Sequence, residues 1–205
     1  MDYTSIAIGL GIILVSLSVH EAAHAWSADR LGDPTARMLG RVSLNPIVHI
    51  DPIGTVLMPA IMIATGLPIL GWAKPVPVNT SRLGHPRRDF MIVAAAGPLS
   101  NIAQAVVAAL VLRLVLLTGA DPGIWGNVLL LFMYVNLILA FFNLIPVPPL
   151  DGGNVLAGLL PRPAAAVFER IRPFGFLVLY ALIFAGGLFA IIRPPTEFMM
   201  ELLLP

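Results

Sequence analysis

Long stretches of this chain carry no charge, and that constrains its fold more than any other feature. Residues 53–73, 124–150 and 174–192 contain no Asp, Glu, Lys or Arg; residues 3–26 contain only Glu21, and residues 90–118 only Arg113. A helix of about 20 apolar residues crosses about 30 Å of hydrocarbon. Four of these runs are long enough, and 174–192 falls just short. The composition agrees: 11% of residues are charged and the mean hydropathy is +0.91, against about 25% charged in an ordinary soluble domain. The expected fold is therefore an all-α polytopic membrane protein. It has about four full transmembrane helices and a re-entrant or additional membrane segment, five or six membrane segments in all.

The formal net charge of +1 gives no basic stripe for a phosphate backbone, so nucleic acid is not an expected partner. With no cysteine there is neither a disulfide framework nor a thiolate metal site, and any metal has to be held by histidine and carboxylate. No Lys or Arg precedes the first apolar run, as the n-region of a signal peptide requires, so that run is expected to stay in the protein. Neither an internal repeat nor a hydrophilic linker is visible. The expectation is one membrane domain over residues 1–205, ending in a membrane segment at 174–192 and, from Thr196 on, an interfacial helix.

Lys and Arg in short loops favour the cytoplasmic side. Arg30, Arg37 and Arg41 follow the first run; Lys74, Arg82, Arg87 and Arg88 precede the third; Arg162, Arg170 and Arg172 precede the last. A complete crossing by residues 53–73 would export Arg82, Arg87 and Arg88. That run carries Pro59, Pro68, Gly54, Gly66 and Gly71, so it is expected to enter the membrane and return, as irregular backbone does where protein or a cavity shelters it. A straight span is the alternative. Arg113 is expected to extend to the outer interface.

His20-Glu21-Ala22-Ala23-His24 is an H-E-x-x-H motif within the first run. Residues i and i+4 share a helix face, so both imidazoles can chelate one Zn²⁺ while Glu21 acts as general base on water. An ionisable group at the centre of a bilayer costs about 3 kcal/mol or more, which makes a purely accidental trio expensive. Catalytic zinc takes three protein ligands, so a third comes from elsewhere. His49 and His85 lie in charged or proline-containing loops; Asp151, closing the fourth run before Gly152-Gly153, is the better candidate. Asn136 and Asn143 share a helix face, and Asn101 lies in the preceding helix; each is a candidate to bind extended substrate backbone or to orient a ligand, or else to tie helices together. Ser16 and Ser18 have no setting for serine chemistry, and Gly97 suits close helix packing.

Three separated motifs in this order resemble the site-2 proteases, zinc-dependent intramembrane metalloproteases of the M50 type. They are His20-Glu21-x-x-His24, the segment Ala96-Gly97-Pro98-Leu99-Ser100-Asn101, and Asn143 through Asp151-Gly152. The loops from Gly32 to Gly54 and from Gly71 to Val78 are similar to those of the short, minimal members, which lack a PDZ or CBS domain. The likeness covers about residues 1–155. It implies one Zn²⁺ per chain held by His20, His24 and Asp151, Glu21 as catalytic base, and a role for Asn143 in its motif. The implied activity is cleavage of peptide bonds within or near the transmembrane segment of single-span membrane proteins. The implied setting is the plasma membrane, with the site towards the cytoplasm. A small β-hairpin, or a strand edge from 36–54 and 71–80, is expected beside the site for an extended substrate. A membrane metal-ion transporter or metal-binding protein is the alternative, since intramembrane His and carboxylate also mark ion paths.

Overall fold

The computed structural model describes residues 3–65 and 72–204. Its helices are α1 (Tyr3–Arg30), α2 (Thr35–Met38), α3 (Met58–Thr65), α4 (Pro86–Leu117), α5 (Gly123–Asn143), α6 (Asp151–Leu159), α7 (Arg162–Ile171), α8 (Gly175–Phe184) and α9 (Gly187–Leu203). Three helical stretches are long and apolar enough to cross a membrane: Thr4–Arg30, Pro86–Leu117 and Gly123–Asn143. α4 packs against both α1 and α5. Their contact surfaces are rich in small residues: Ala25, Ala28, Ala105, Ala108, Ala109 and Ala140 are buried, which lets helices approach closely where lipid supplies no hydrophobic drive.

α1 stops at Gly32, whose φ of 109° is open to glycine and strained for other residues. The chain then makes an excursion of about fifty residues and comes back, for Gly84 N–H donates to the Leu31 carbonyl at 3.2 Å. α1 and α4 thus begin and end at a shared level and run antiparallel. Within the excursion the described ends of the apolar run at 53–73 meet. Six residues of π-helix (Pro52–Leu57) lead into α3, and Trp72 N–H donates to the Gly54 carbonyl at 3.1 Å while the Thr55 hydroxyl donates to the Trp72 carbonyl at 2.9 Å. The two ends of the run therefore touch, which a straight span forbids; residues 66–71 of the expected segment lie outside the described residues.

Arg41, buried despite its charge, fastens this excursion. Its guanidinium donates to the carbonyls of Val48, Lys74 and Pro75, and Lys74 N–H donates to the His49 carbonyl at 2.8 Å. No strand forms among the described residues, so the expected β-hairpin is not found among them. Pro75 and Pro77 supply no N–H to a ladder, and residues 36–54 are partly taken up by α2 and a 3₁₀ turn at Pro46–His49.

The C-terminal part departs from expectation. Residues 174–192 do not form one membrane helix: Gly186 takes a φ of 69°, and the stretch Arg162–Phe184 meets α9 at 79°. Among the described residues the candidate spans number three, or four if that bent pair counts as one, which agrees with a polytopic helical membrane protein of about four full spans. The tail from Thr196 is likewise no separate interfacial helix. It continues α9, which lies along α5: Leu188 and Ile192 pack with Ile145 and Leu150, and Met200 and Leu203 with Met133 and Ala109. Arg113 donates to the Leu204 carbonyl at 3.2 Å, joining the far ends of α4 and α9.

Candidate metal centre

The histidines project from α1 towards α4, and the local sequence explains how tightly the two helices meet. Gly97 has no side chain, and a methyl group there would lie 2.5 Å from the Nε2 of His20 and closer still to that of His24. Pro98 follows inside the helix, where it removes one rung of the i to i−4 ladder. One turn earlier the Val93 carbonyl accepts a hydrogen bond from His24 Nδ1 at 2.7 Å. His20 Nδ1 is matched by the Asn101 side-chain oxygen at 2.6 Å. A carbonyl oxygen only accepts, so each ring donates through Nδ1–H and, when neutral, keeps its lone pair on Nε2.

Those lone pairs converge. His20 Nε2 lies 3.0 Å from His24 Nε2, and Asp151 Oδ2 lies 3.1 Å from the first and 3.3 Å from the second. Asp151 reaches this position as the first residue of α6. The loop before it is wound closely: a methyl on Gly152 would collide with the Leu144 carbonyl group, one on Gly153 would stand 2.8 Å from the Pro148 nitrogen, and Gly175 of α8 abuts the Pro148 carbonyl. Gly158 lies against Met91, and Arg87 donates to the Ala157 carbonyl at 2.9 Å, so α6 is also fixed to α4.

Two imidazole lone pairs and a carboxylate oxygen facing one another share no proton among neutral rings, and a cation is what satisfies them. Tetrahedral zinc with bonds of about 2.0–2.1 Å sets its ligand atoms about 3.3 Å apart, close to all three separations. His20, His24 and Asp151 are the one group among the described residues that brings three such donors together. The residues present therefore fit Zn²⁺, and Gly97 leaves the room an ion needs.

Glu21 stands beside this cluster, half-buried, with no hydrogen-bond or ion-pair partner among the described residues. Asn101 and Asn136 are both fully buried; Asn101 donates to the Asn136 side-chain oxygen at 2.8 Å, and Asn136 donates to the Ser16 hydroxyl and the Phe132 carbonyl, each at 2.9 Å. Of the roles open to them, this placement favours orientation of His20 over contact with substrate. Asn143, half-buried, donates to the Leu139 carbonyl at 2.9 Å. The other histidines lie apart: His49 pairs with the Ser43 carbonyl, and His85 sits at the start of α4 beside Asp89. Sequence reasoning did not find the contributions of Val93 and Ser16, which act through a carbonyl and a hydroxyl that no spacing announces. Gly97 was visible as a packing glycine, but its approach to the imidazoles was not.

The family described as "Peptidase family M50" matches residues 117–186. A protein of Bacillus subtilis named "Putative zinc metalloprotease YwhC" is 37% identical over 176 residues, covering 83% of this chain and 77% of its own length. Proteins named "Putative zinc metalloprotease Rip2" are 30% identical over 182 residues in Mycolicibacterium smegmatis and 31% over 175 residues in Mycobacterium tuberculosis. This chain spans 66% of the length of each. No solved structure matches it.

Proposed function

The chain belongs to peptidase family M50, and on that premise we propose that His20, His24 and Asp151 hold the single Zn²⁺ of an intramembrane metalloprotease whose general base is Glu21. The protein is a zinc-dependent hydrolase of peptide bonds in a multi-pass membrane setting. The observation that carries the assignment is the meeting of two Nε2 lone pairs and Asp151 Oδ2 within 3.0–3.3 Å, with both Nδ1 atoms already engaged elsewhere.

Zn²⁺, when bound, lowers the pKa of water towards about 7 and polarises a carbonyl. The protein's residues do the rest. His20, His24 and Asp151 fix the ion's place, and Asn101 and the Val93 carbonyl fix the rings. Glu21 takes one proton from the attacking water as its oxygen bonds to the scissile carbon, then delivers that proton to the departing amine nitrogen as the C–N bond breaks. The substrates are single-span membrane proteins cut within or near their transmembrane segment. A substrate helix has to unwind before its carbonyl is open to attack, and the freed groups need partners in lipid; the Asn143 side-chain oxygen is available for that. α1, α4 and α5 cross the bilayer, residues 53–73 enter and return, and the site lies towards the cytoplasmic side of the plasma membrane. The relatives described above are metalloproteases by name, which favours hydrolysis over ion transport.

Purified protein with a panel of single-span substrates tests this reading beside Glu21→Gln. The expected result is a zinc-dependent product from the wild type. Glu21→Gln keeps its zinc and loses cleavage by about 10²-fold or more. Undiminished cleavage by Glu21→Gln would overturn the assignment of the base, and no product from any substrate would overturn the protease reading.

A further inference from the structure

His20 can serve as a ligand through Nε2 only if its proton sits on Nδ1, whereas a neutral histidine in water favours the opposite tautomer. Something has to hold it, and the direct partner is not sufficient. Asn101 is an amide, and turning it by 180° would present its NH₂ to the ring, require Nδ1 to accept, and put the proton on Nε2 where the metal binds.

The buried surroundings forbid that turn. On the NH₂ side of Asn101 stand two oxygens, the Asn136 Oδ1 at 2.8 Å and the Ser16 carbonyl at 3.4 Å. Asn136 is itself a reversible amide, but its NH₂ is aimed at the Phe132 carbonyl at 2.9 Å as well as at the Ser16 hydroxyl. A main-chain carbonyl never donates, so it fixes which end of Asn136 faces it. The polarity then passes along: NH₂ of Asn136 to Phe132, oxygen of Asn136 to Asn101, oxygen of Asn101 to His20, lone pair of His20 to the metal. Ser16, Asn101 and Asn136 are all fully buried, so water is not at hand to repair a reversed amide, and in a dry interior a mismatched pair is costly.

We propose that Asn136 is a positioning residue that acts through Asn101 to hold His20 in the Nδ1–H tautomer, so that a helix contributing no metal ligand sets the protonation pattern of the site. This rests on the zinc reading of His20, His24 and Asp151, and it adds α5 to the elements that determine metal affinity. Supporting groups of this kind change metal affinity by about 10–100-fold when removed.

The test uses the full chain in detergent, labelled with ¹⁵N-histidine. Two-bond ¹H–¹⁵N correlations on zinc-free protein report the tautomer of each ring, with His20 assigned by its disappearance in His20→Gln. Zinc affinity is measured by competition with a chromogenic chelator. Wild type is expected to show Nδ1–H at His20. Asn136→Leu, and Asn136→Ala as a variant that adds no bulk, are expected to populate the Nε2–H form and to bind zinc about 10–100-fold more weakly. The double variant Asn101→Leu/Asn136→Leu is expected to be no worse than Asn101→Leu alone. Ser18→Ala removes a buried hydroxyl that, among the described residues, bonds along α1 to the Leu14 carbonyl, and is expected to change neither readout. An Nε2–H tautomer in the wild type, an unchanged tautomer in both folded Asn136 variants, or additive losses in the double variant would each overturn the proposal. Failure of the metal reading is distinguishable: His20→Gln would then leave zinc affinity unaltered, while the tautomer spectra would still judge the network.

Discussion

A methyl group on Gly97 would lie 2.5 Å from His20 Nε2 and nearer still to His24 Nε2, against the two ring nitrogens that face Asp151. A Zn–N bond is about 2.0–2.1 Å, so a side chain at this position and a bound ion compete for one volume. Gly97→Ala is therefore expected to abolish zinc binding and cleavage while the helices persist, because the obstructed atoms are ring ends that can rotate aside. Elemental analysis of the purified variant, with far-ultraviolet circular dichroism as the control for folding, checks this. Full zinc occupancy would show that α4 does not approach the histidines as described.

Asp151 depends on a contact from outside its own helix. Gly175, the first residue of α8, abuts the Pro148 carbonyl, and that loop delivers Asp151 to the histidines. Gly175→Ala is expected to displace the loop and lower zinc affinity by about 10-fold or more, as loss of a supporting contact does. Gly187→Ala, where a methyl would meet only ordinary contacts at 3.5 Å or more, is expected to leave affinity unchanged. Chelator competition on both variants decides the matter, and equal affinities would remove α8 from the support of the site.

The parts of this site that the sequence disclosed are those that spacing governs. His20 and His24 stand four residues apart in a run that is otherwise almost free of ionisable groups, and helix periodicity alone puts them on one face. Asp151 was legible as a carboxylate closing an apolar run, but its meeting with His20 depends on how the intervening chain is routed; charge bias in the flanking loops suggested that residues 53–73 do not cross, and the Trp72–Gly54 hydrogen bond brings the described ends of that run together. What stayed hidden depends on direction or on three-dimensional crossing. Hydropathy counts apolar residues in 174–192 without registering that Gly186 turns the chain between α8 and α9. Asn136 reads as one more polar residue in an apolar helix until Asn101 and Ser16 are placed around it.

Topology offers a direct check because the chain has no native cysteine. Ser81 lies just before α4, near the Leu31–Gly84 hydrogen bond that closes the excursion after α1, and Ala120 lies in the turn between α4 and α5. Both are exposed. Single cysteines at the two positions are expected to react with an impermeant maleimide from opposite sides of a sealed vesicle, Ser81→Cys from the side of the metal centre. Reaction of both from one side would mean that α4 does not cross between them.

The loop that closes α1 is held by a buried carboxylate, and this makes its stability depend on pH. Asp33 is fully buried; it accepts hydrogen bonds from the Thr35 hydroxyl, the Thr35 N–H at 3.1 Å and the Asn79 N–H at 2.6 Å. Burial by itself would raise its pKa, but these hydrogen bonds and the nearby Arg82 charge outweigh it and hold the carboxyl below its ordinary value of 3.8. A carboxyl with a lower pKa in the folded than in the unfolded state stabilises the fold above the unfolded value, and that contribution fades as pH falls through the folded one. Thermal unfolding of wild type and Asp33→Asn in detergent is therefore expected to differ most near neutral pH, where loss of a buried acceptor costs about 1–3 kcal/mol. The difference should narrow below about pH 4, as the unfolded carboxyl takes up its proton. A gap that stays constant from pH 7 to pH 3 would mean that the ionised form of Asp33 is not what ties residue 79 to the end of α1.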